Sequence, residues 1–108
     1  MFETITIETD SRGVATLTLN RPDKHNAMSA QMLAELTEAA ARFAQNSDVR
    51  VVVLTGAGKS FCAGGDLGWM QAQMQMDEAT RAKEAAKLAI MLQALNTLPQ
   101  PVIGAVQG

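Results

Sequence analysis

The sequence contains a single cysteine, Cys62, and no long apolar run. One cysteine excludes an internal disulfide and a multi-cysteine metal site, and without an apparent basic partner it is predicted to be a small buried residue, not a nucleophile. The longest apolar runs, such as residues 51–54, are far too short to span a bilayer. Residues 1–6 lack the basic and apolar regions of a signal peptide, so the expected location is cytoplasmic.

An excess of basic residues is also missing. Lys and Arg number 9 against 11 Asp and Glu, which gives a net charge of −2. Nothing here resembles the basic surface that nucleic-acid binding requires. Hydrophobic residues make up 47% and charged residues 19%, a composition typical of a soluble globular segment and not of a disordered one. The length of 108 residues is that of one domain.

The hydrophobic pattern of the first half predicts two strands, a helix and a third strand. Residues 4–9 and 14–19 alternate with a period of two, which predicts an antiparallel hairpin. Residues 29–46 begin with Ser29 as a helix cap and carry apolar residues at helical spacing. The β-branched run 51–55 predicts a strand that is buried on both faces.

A glycine-rich loop, residues 56–65, leads to the second half. Residues 66–70 predict a short helical turn, and Asp77 is positioned to cap a long helix that ends near residue 98. Residues 102–106 predict a last strand. The order is therefore β-β-α-β-loop-α-β, which is the α/β class. The apolar stripe of the long helix, assigned to the core, is Leu88, Met91, Leu92, Leu95 and Leu98.

The glycine loop does not fit the motifs that bind nucleotide phosphates. A Walker A loop requires a glycine at position 53, where Val53 stands. A dinucleotide fingerprint requires glycine or alanine at position 61, where Phe61 stands. Both motifs also need a helix directly after the loop, whereas this chain continues through residues 61–65. Nucleotide-phosphate binding of either type is therefore not predicted.

Four segments resemble the crotonase (enoyl-CoA hydratase/isomerase) family in order and spacing. They are residues 58–67 (GKSFCAGGDL), 19–27 (LNRPDKHNA), 49–56 (VRVVVLTG) and 101–108 (PVIGAVQG). Gln107 is a small departure, because the family more often has Asn there. The resemblance covers nearly the whole chain. It implies that residues 1–108 are a partial crotonase domain, the N-terminal part of a crotonase-type (ClpP/crotonase) spiral fold without its C-terminal half.

The resemblance implies a site for a CoA thioester. The family stabilises a thioester enolate with backbone N–H groups aimed at the oxygen, and the N–H of Gly65 would be one such donor. The segment from Lys24 to Ala27 would lie by the nucleotide end of CoA, with Lys24 meeting a phosphate as a point charge. No separate cofactor is implied, because coenzyme A is part of the substrate. The residues that would contact the CoA and thioester arm are Ala63, Gly64, Asp66 and Leu67.

Each of these assignments has a structural alternative. The glycine pair 64–65 by itself would form a tight turn, and Asp66 would only cap the next helical turn. Lys24 and His25 would be solvated loop residues, which is the favoured interpretation for His25. The side chains that line either an acyl pocket or a packing surface are Trp69, Met70 and Met74.

The catalytic acids of the family, mainly glutamates, and its second oxyanion donor lie beyond the segment that residues 101–108 resemble. Glu78 and Glu84 lie where the family places no catalytic acid, and Glu35 and Glu38 are assigned to the solvated face of the first helix. Two hypotheses follow. The chain is part of an enzyme that hydrates or isomerises a 2-enoyl-CoA and is inactive alone, or it is a short non-catalytic CoA-binding or assembly fragment.

The resemblance also suggests a finer substrate class and an assembly. Residues 64–71 and 106–108 look most like hydratases of branched dicarboxylic acyl-CoAs, of the methylglutaconyl-CoA and carboxygeranoyl-CoA type. The implied partner is an acyl-CoA thioester, with no nucleic acid and no membrane. In its full-length form the family implies a homo-oligomer, a trimer or a hexamer.

Overall fold

The computed structural model describes residues 2–108. Its centre is a four-stranded sheet with the strand order β1-β2-β3-β4. The first two strands pair antiparallel, whereas β2 with β3 and β3 with β4 pair in parallel. The parallel pairs need crossover connections, and helices provide them. The strands are β1 (Ile5–Thr9), β2 (Val14–Leu19), β3 (Val51–Gly56) and β4 (Val102–Gly104).

Three α-helices and one 3-10 turn connect the strands. They are the turn at Pro22–Lys24, α1 (Ala30–Ala44), α2 (Leu67–Met74) and α3 (Glu78–Asn96). Each helix begins at a predicted cap: the side chain of Ser29 accepts from Met32 N, and that of Asp77 accepts from Thr80 N. The predicted α/β class and order are confirmed, with α2 a full helix where only a short turn was expected.

One face of the sheet packs against the helices and forms the core. The alternating residues Ala15, Leu17 and Leu19 of β2 are fully buried, together with Val52 of β3. Burying a large aliphatic side chain contributes about 1.5–3 kcal/mol, so this face holds the fold together. The helical side chains that cover it are Met32, Leu33, Leu36, Ala39 and Phe43 of α1 and Met91 of α3.

The opposite face of the sheet is only half-buried. Val51, Val53 and Thr55 of β3 are partly exposed, so the prediction that this strand is buried on both faces is wrong for residues 2–108. The physical reason is that the core side chains of α1 and α3 gather with Val52, on the face that Val51 and Val53 do not share.

The apolar stripe of α3 is likewise only partly core. Met91 is buried, and Leu95 and Leu98 pack against the core, but Leu88 is 37% exposed and Leu92 is 54% exposed. The core assignment is therefore wrong for Leu88 and Leu92. They lie about 60° and 100° around the helix from Met91, whereas α3 contacts the core along a narrower line.

Glu35 does not lie on a solvated face, as was expected from the sequence. Its carboxylate accepts hydrogen bonds of 2.7–3.2 Å from Glu3 N, Thr4 N and Thr4 Oγ1, which ties the start of β1 to α1. Burial raises the pKa of Glu35, but the hydrogen bonds from Thr4 and Glu3 outweigh it and lower that pKa overall. Glu38 is exposed and pairs with Arg42 at 3.3 Å, as expected for a solvated face.

No helix within residues 2–108 has both the length and the apolar character to cross a lipid bilayer.

The last strand is shorter than predicted and ends at Gly104. The next residue, Ala105, stays bonded to β3, because Ala105 N donates to Leu54 O at 2.8 Å.

Candidate functional site

The glycine loop after β3 lies beside the connection between β2 and α1. Ala63 N donates to His25 O at 3.0 Å, and Met28 N donates to Gly64 O at 2.7 Å. The carbonyl of Met28 in turn accepts from Asp66 N at 2.9 Å. Met28 thus stands opposite Gly65 in a parallel bridge. Two segments that are distant in sequence, 25–28 and 63–66, are joined along their backbones.

The N–H of Gly65 is left free by this pairing. Because Met28 bonds to residues 64 and 66, the polar groups of Gly65 point away from the paired segment. No acceptor for the Gly65 N–H occurs in the part of the chain that the structure describes, residues 2–108. The residue is also exposed. A backbone donor that is fixed on both sides and unoccupied can donate to a ligand oxygen without reorganisation.

Glycine at positions 64 and 65, the last two of the four glycines in the loop, has different structural reasons. Gly64 has φ of +96°, in the left-handed region that favours glycine. Gly65 has no such constraint, but a Cβ added there would lie 3.1 Å from Met70 Sδ and 3.9 Å from Trp69 Cε3. The loop is therefore bordered on one side by Trp69 and Met70 of α2.

Asn26 is the buried residue that holds the loop together. Its Oδ1 accepts from Arg21 N at 2.7 Å, and its Nδ2 donates to Ala57 O and Ser60 O, both at 2.9 Å. The side chain is fully buried, and φ is +57°, a conformation that Asn tolerates better than most residues. One amide thus ties the connection after β2 to the first half of the glycine loop, at Ala57 and Ser60.

Asn26 was not singled out as a site residue from the sequence. The available signal was its place in the segment 19–27, where an Asn-Ala pair contributed to the family resemblance. The acceptors of its buried amide, Ala57 O and Ser60 O, lie 31 and 34 residues away in sequence. No local sequence pattern indicates such distant partners.

Asp66 links the loop to α2. Its Oδ1 accepts from Trp69 N at 2.9 Å and caps the helix, while its Oδ2 lies 3.2 Å from Arg21 Nη2. Arg21 also donates to Ala27 O. The hydrogen bond from Trp69 N, and then the contact with Arg21, lower the pKa of Asp66. The capping role, offered as an alternative from the sequence, is therefore confirmed for this carboxylate.

The lowered pKa of Asp66 predicts a loss of stability in acid. The folded state favours the ionised form, so the stabilisation is present above the ordinary value of 3.8 and is lost as the pH falls through the lower, folded-state pKa. Asp66→Asn keeps the cap but loses the charge pair with Arg21, so unfolding free energy should drop by about 0.5–1 kcal/mol near neutral pH.

Urea unfolding followed by tryptophan fluorescence measures this effect. The difference between Asp66→Asn and the unchanged chain should vanish well below pH 3.8, where Asp66 is protonated. Asp23→Asn, at an exposed carboxylate, is the control. Its free energy of unfolding should stay close to that of the unchanged chain at every pH. If the unfolding free energies of Asp66→Asn and the unchanged chain differed by the same amount at every pH, an electrostatic origin would be contradicted.

Trp69 connects α2 to α3. Its Nε1 donates to Glu84 Oε1 at 2.9 Å, and Lys87 Nζ lies 2.7 Å from the same carboxylate. The hydrogen bond from Lys87, followed by that from Trp69, lowers the pKa of Glu84. Trp69 packs against the core, whereas Met70 is 48% exposed and Met74 is 75% exposed. Of the three side chains predicted to line a pocket or a packing surface, Trp69 packs against the core of residues 2–108, and the two methionines are exposed.

The family model for enoyl-CoA hydratase/isomerase matches residues 9–108. The chain belongs to the enoyl-CoA hydratase/isomerase family. A protein of Rhodobacter capsulatus named probable enoyl-CoA hydratase is 42% identical over 98 residues, which are 91% of this chain and 36% of that protein. The relationship is therefore clear at the level of the family.

Solved structures of this family show the same fold. The enoyl-CoA hydratase of Mycobacterium smegmatis superposes with a TM-score of 0.91 at 43% identity, covering 98% of this chain and 40% of that one. The enoyl-CoA hydratase of Shewanella pealeana gives a TM-score of 0.94 at 34% identity, covering 99% and 40%. The chain spans about two fifths of the length of these relatives.

The structure brings most of the site residues that the family resemblance implied into one region. Ala63, Gly64, Gly65 and Asp66 lie along the ladder with residues 25–28, and Ala27 is attached to Asp66 through Arg21. Lys24 is exposed just before this ladder, and Leu67 is 75% exposed at the start of α2. His25 Nδ1 lies 3.3 Å from Ser60 Oγ.

The remaining polar candidates have structural partners. Cys62 is half-buried and packs on the core, and its sulfur accepts weakly from Gly64 N at 3.4 Å. Gln107 donates to the carbonyls of Gly56 and Gly58 at the base of the loop, so the departure from Asn is accommodated there. No group of three or more His, Cys, Asp or Glu within residues 2–108 could hold a metal ion.

Proposed function

We propose that this chain provides the CoA-thioester site and one arm of the oxyanion hole of an enoyl-CoA hydratase/isomerase. The observation that carries the proposal is the free, backbone-fixed N–H of Gly65. In this role it donates to the thioester oxygen, on which negative charge grows as the enolate forms. One such donor contributes about 2.7–4 kcal/mol to lowering the barrier.

The neighbouring residues have supporting roles in the proposal. The backbone around Ala63, Gly64, Asp66 and Leu67 contacts the thioester arm. Lys24, exposed beside Ala27, is placed to meet a phosphate of the nucleotide end as a point charge. Coenzyme A is part of the substrate, and no further cofactor is proposed. The paired segments 25–28 and 63–66 keep both ends of the ligand site in a fixed relation.

For the whole protein we propose hydration of a 2-enoyl-CoA, with residues 1–108 as the N-terminal part of the domain. In this proposal the acid and base are other residues than Asp66 and Glu84, because the pKa of both carboxyl groups is lowered and both already accept hydrogen bonds. The same observation favours the second candidate, a CoA-binding or assembly fragment without catalysis. Branched dicarboxylic substrates, a homo-oligomer and a cytoplasmic location stay predictions.

Removing the thioester oxygen from the ligand tests the role of Gly65. We expect an S-butyl-CoA thioether to bind about tenfold more weakly than butyryl-CoA, because the Gly65 N–H loses its acceptor. The measurement is a fluorescence titration, since Trp69 is the only tryptophan and borders Gly65. Lys24→Gln is the matched variant and should weaken both ligands by the same factor. Equal affinities for thioether and thioester would contradict the proposal.

A further inference from the structure

A chain of hydrogen bonds leads from Arg21 to the N–H of Gly65. Nη1 of Arg21 donates to Ala27 O, which shares a peptide unit with Met28 N. Met28 N in turn donates to Gly64 O at 2.7 Å, which shares a peptide unit with Gly65 N. Because a peptide unit is planar and trans, its N–H points opposite to its C=O. Two peptide units therefore form a relay between the guanidinium and the N–H of Gly65.

Arg21 is fixed at the start of this relay. Its side chain is only 19% exposed, and Nη2 donates to Asp66 Oδ2 at 3.2 Å. Its backbone is held as well, because Arg21 N donates to Asn26 Oδ1 at 2.7 Å and Arg21 O accepts from Asn26 N at 2.9 Å. The guanidinium thus bridges the two paired segments, 25–28 and 63–66, through different amino groups.

The charge of Arg21 acts along the relay in one direction. A guanidinium is always protonated in proteins, and a charged donor forms a hydrogen bond about twice as strong as a neutral one. The bond to Ala27 O polarises that peptide unit, which makes Met28 N a stronger donor to Gly64 O. Each bond in such a chain is strengthened by about 10–30%. The second peptide unit passes the effect to Gly65, whose N–H becomes a stronger donor.

We propose that Arg21 is a positioning residue that orients and polarises the N–H of Gly65 through these two peptide units. The inference rests on the proposed function, in which that N–H donates to the thioester oxygen. Arg21 acts through the backbone and needs no contact with the ligand. A stronger donor gains most where negative charge grows on the oxygen, so the relay favours the enolate over the neutral thioester.

The ratio of the dissociation constants of S-butyl-CoA and butyryl-CoA tests the relay, because only the thioester offers an oxygen to Gly65. We expect this ratio to fall from about tenfold in the unchanged chain to about three- to fivefold in Arg21→Met. Arg21→Gln should lower it in the same way, because it is also neutral, and it replaces Arg21→Met if that variant does not fold. Arg21→Lys keeps the charge and should keep a higher ratio than either.

Two spectroscopic measurements report the hydrogen bonds themselves. The infrared stretch of an isotope-labelled thioester carbonyl should lie at a higher frequency on Arg21→Met than on the unchanged chain, because a weaker hydrogen bond leaves the C=O bond stronger. The amide proton of Met28 reports the relay without any ligand. It should move upfield in the NMR spectrum of both neutral variants, because its bond to Gly64 O weakens.

Two control variants separate the relay from general support of the site. Asp66→Asn removes the ion pair with Arg21 but not the bond from Arg21 to Ala27 O, so its ratio should stay above that of Arg21→Met. Arg12→Met changes an exposed arginine that pairs with Asp10 in the β1–β2 turn, and it should keep the full ratio.

Three outcomes count against these ideas in different ways. An unchanged ratio in a folded neutral variant of Arg21 would overturn the inference. Equal weakening of both ligands with an unaltered carbonyl frequency would overturn it too, because Arg21 would then only support the fold. A ratio near one in the unchanged chain would contradict the proposed function itself. The amide proton of Met28 would then decide the relay alone, and a proton that does not shift would refute it.

Discussion

Purified residues 1–108 are expected to show no measurable hydration of crotonyl-CoA above background. Hydration needs a positioned acid and base, which contribute about 10²–10⁴-fold, and each oxyanion donor adds about 10²–10³-fold. Of the two oxyanion donors that the family resemblance implies, the described chain offers one, the N–H of Gly65. The expected rate is therefore about 10⁴–10⁷-fold below that of a complete site.

The two acids nearest the loop do not fill the gap. A general base works best when its pKa lies near the working pH, but the hydrogen bond from Trp69 N lowers the pKa of Asp66 and that from Lys87 lowers the pKa of Glu84. Both carboxylates are also occupied as acceptors by those groups. Their contacts are structural: Asp66 caps α2 through Trp69 N, and Glu84 joins α3 to α2 through Trp69 Nε1.

The assay follows the loss of absorbance of the conjugated enoyl thioester. The enoyl-CoA hydratase of Mycobacterium smegmatis serves as the positive control under identical conditions. Binding of butyryl-CoA without turnover of crotonyl-CoA is the expected combination. Turnover well above background would contradict it, and its loss in Glu84→Gln but not in Glu78→Gln would then identify Glu84 as the missing base.

Asn26→Asp is expected to lower the free energy of unfolding by about 3–5 kcal/mol. The substitution is nearly isosteric, but an ionised carboxylate cannot donate to Ala57 O and Ser60 O, and it places a charge where the side chain is fully buried. Domains of this size have about 5–15 kcal/mol of stability in total. A large share of the stability is therefore lost through one atom exchange.

Urea unfolding measured by circular dichroism gives the size of the effect. Asn96→Asp, an exposed position at the end of α3, is the matched control and should change stability by less than about 0.5 kcal/mol. Affinity for butyryl-CoA should fall together with stability in Asn26→Asp, because Asn26 anchors the first half of the glycine loop at Ala57 and Ser60. A loss below about 1 kcal/mol would show that the loop is held by its backbone ladder alone.

Local patterns predicted the elements well. Period-two alternation found β2 at Val14–Leu19, and the cap at Ser29 marked the start of α1. These features depend on neighbouring residues, which a single sequence displays directly. The family assignment was also correct, whereas the finer resemblance to hydratases of branched dicarboxylic acyl-CoAs stays a prediction.

Features that depend on distant partners were harder to predict. The pairing of Met28 with Gly65 joins segments far apart in sequence and leaves no periodic signal. Helix α2 is also connected to α3 by the hydrogen bond from Trp69 to Glu84, which lies 15 residues further along the chain. Burial of Leu92 was overestimated for a related reason: an apolar side chain reports that a helix has an inner face, but not how much of that face its neighbours cover.

The hydrogen-bond donor proposed at Gly65 belongs to the main chain, and this has a consequence for mutational scanning. Every residue except proline carries the same N–H at position 65. The one tight contact of a Cβ there is with the movable end of Met70, and Trp69 lies at ordinary contact distance. Saturation mutagenesis should therefore find position 65 more permissive than Asn26 and Gly64, which aim the N–H through a buried amide and a left-handed turn. The proposed donor is therefore positioned by residues that do not themselves contact the ligand oxygen.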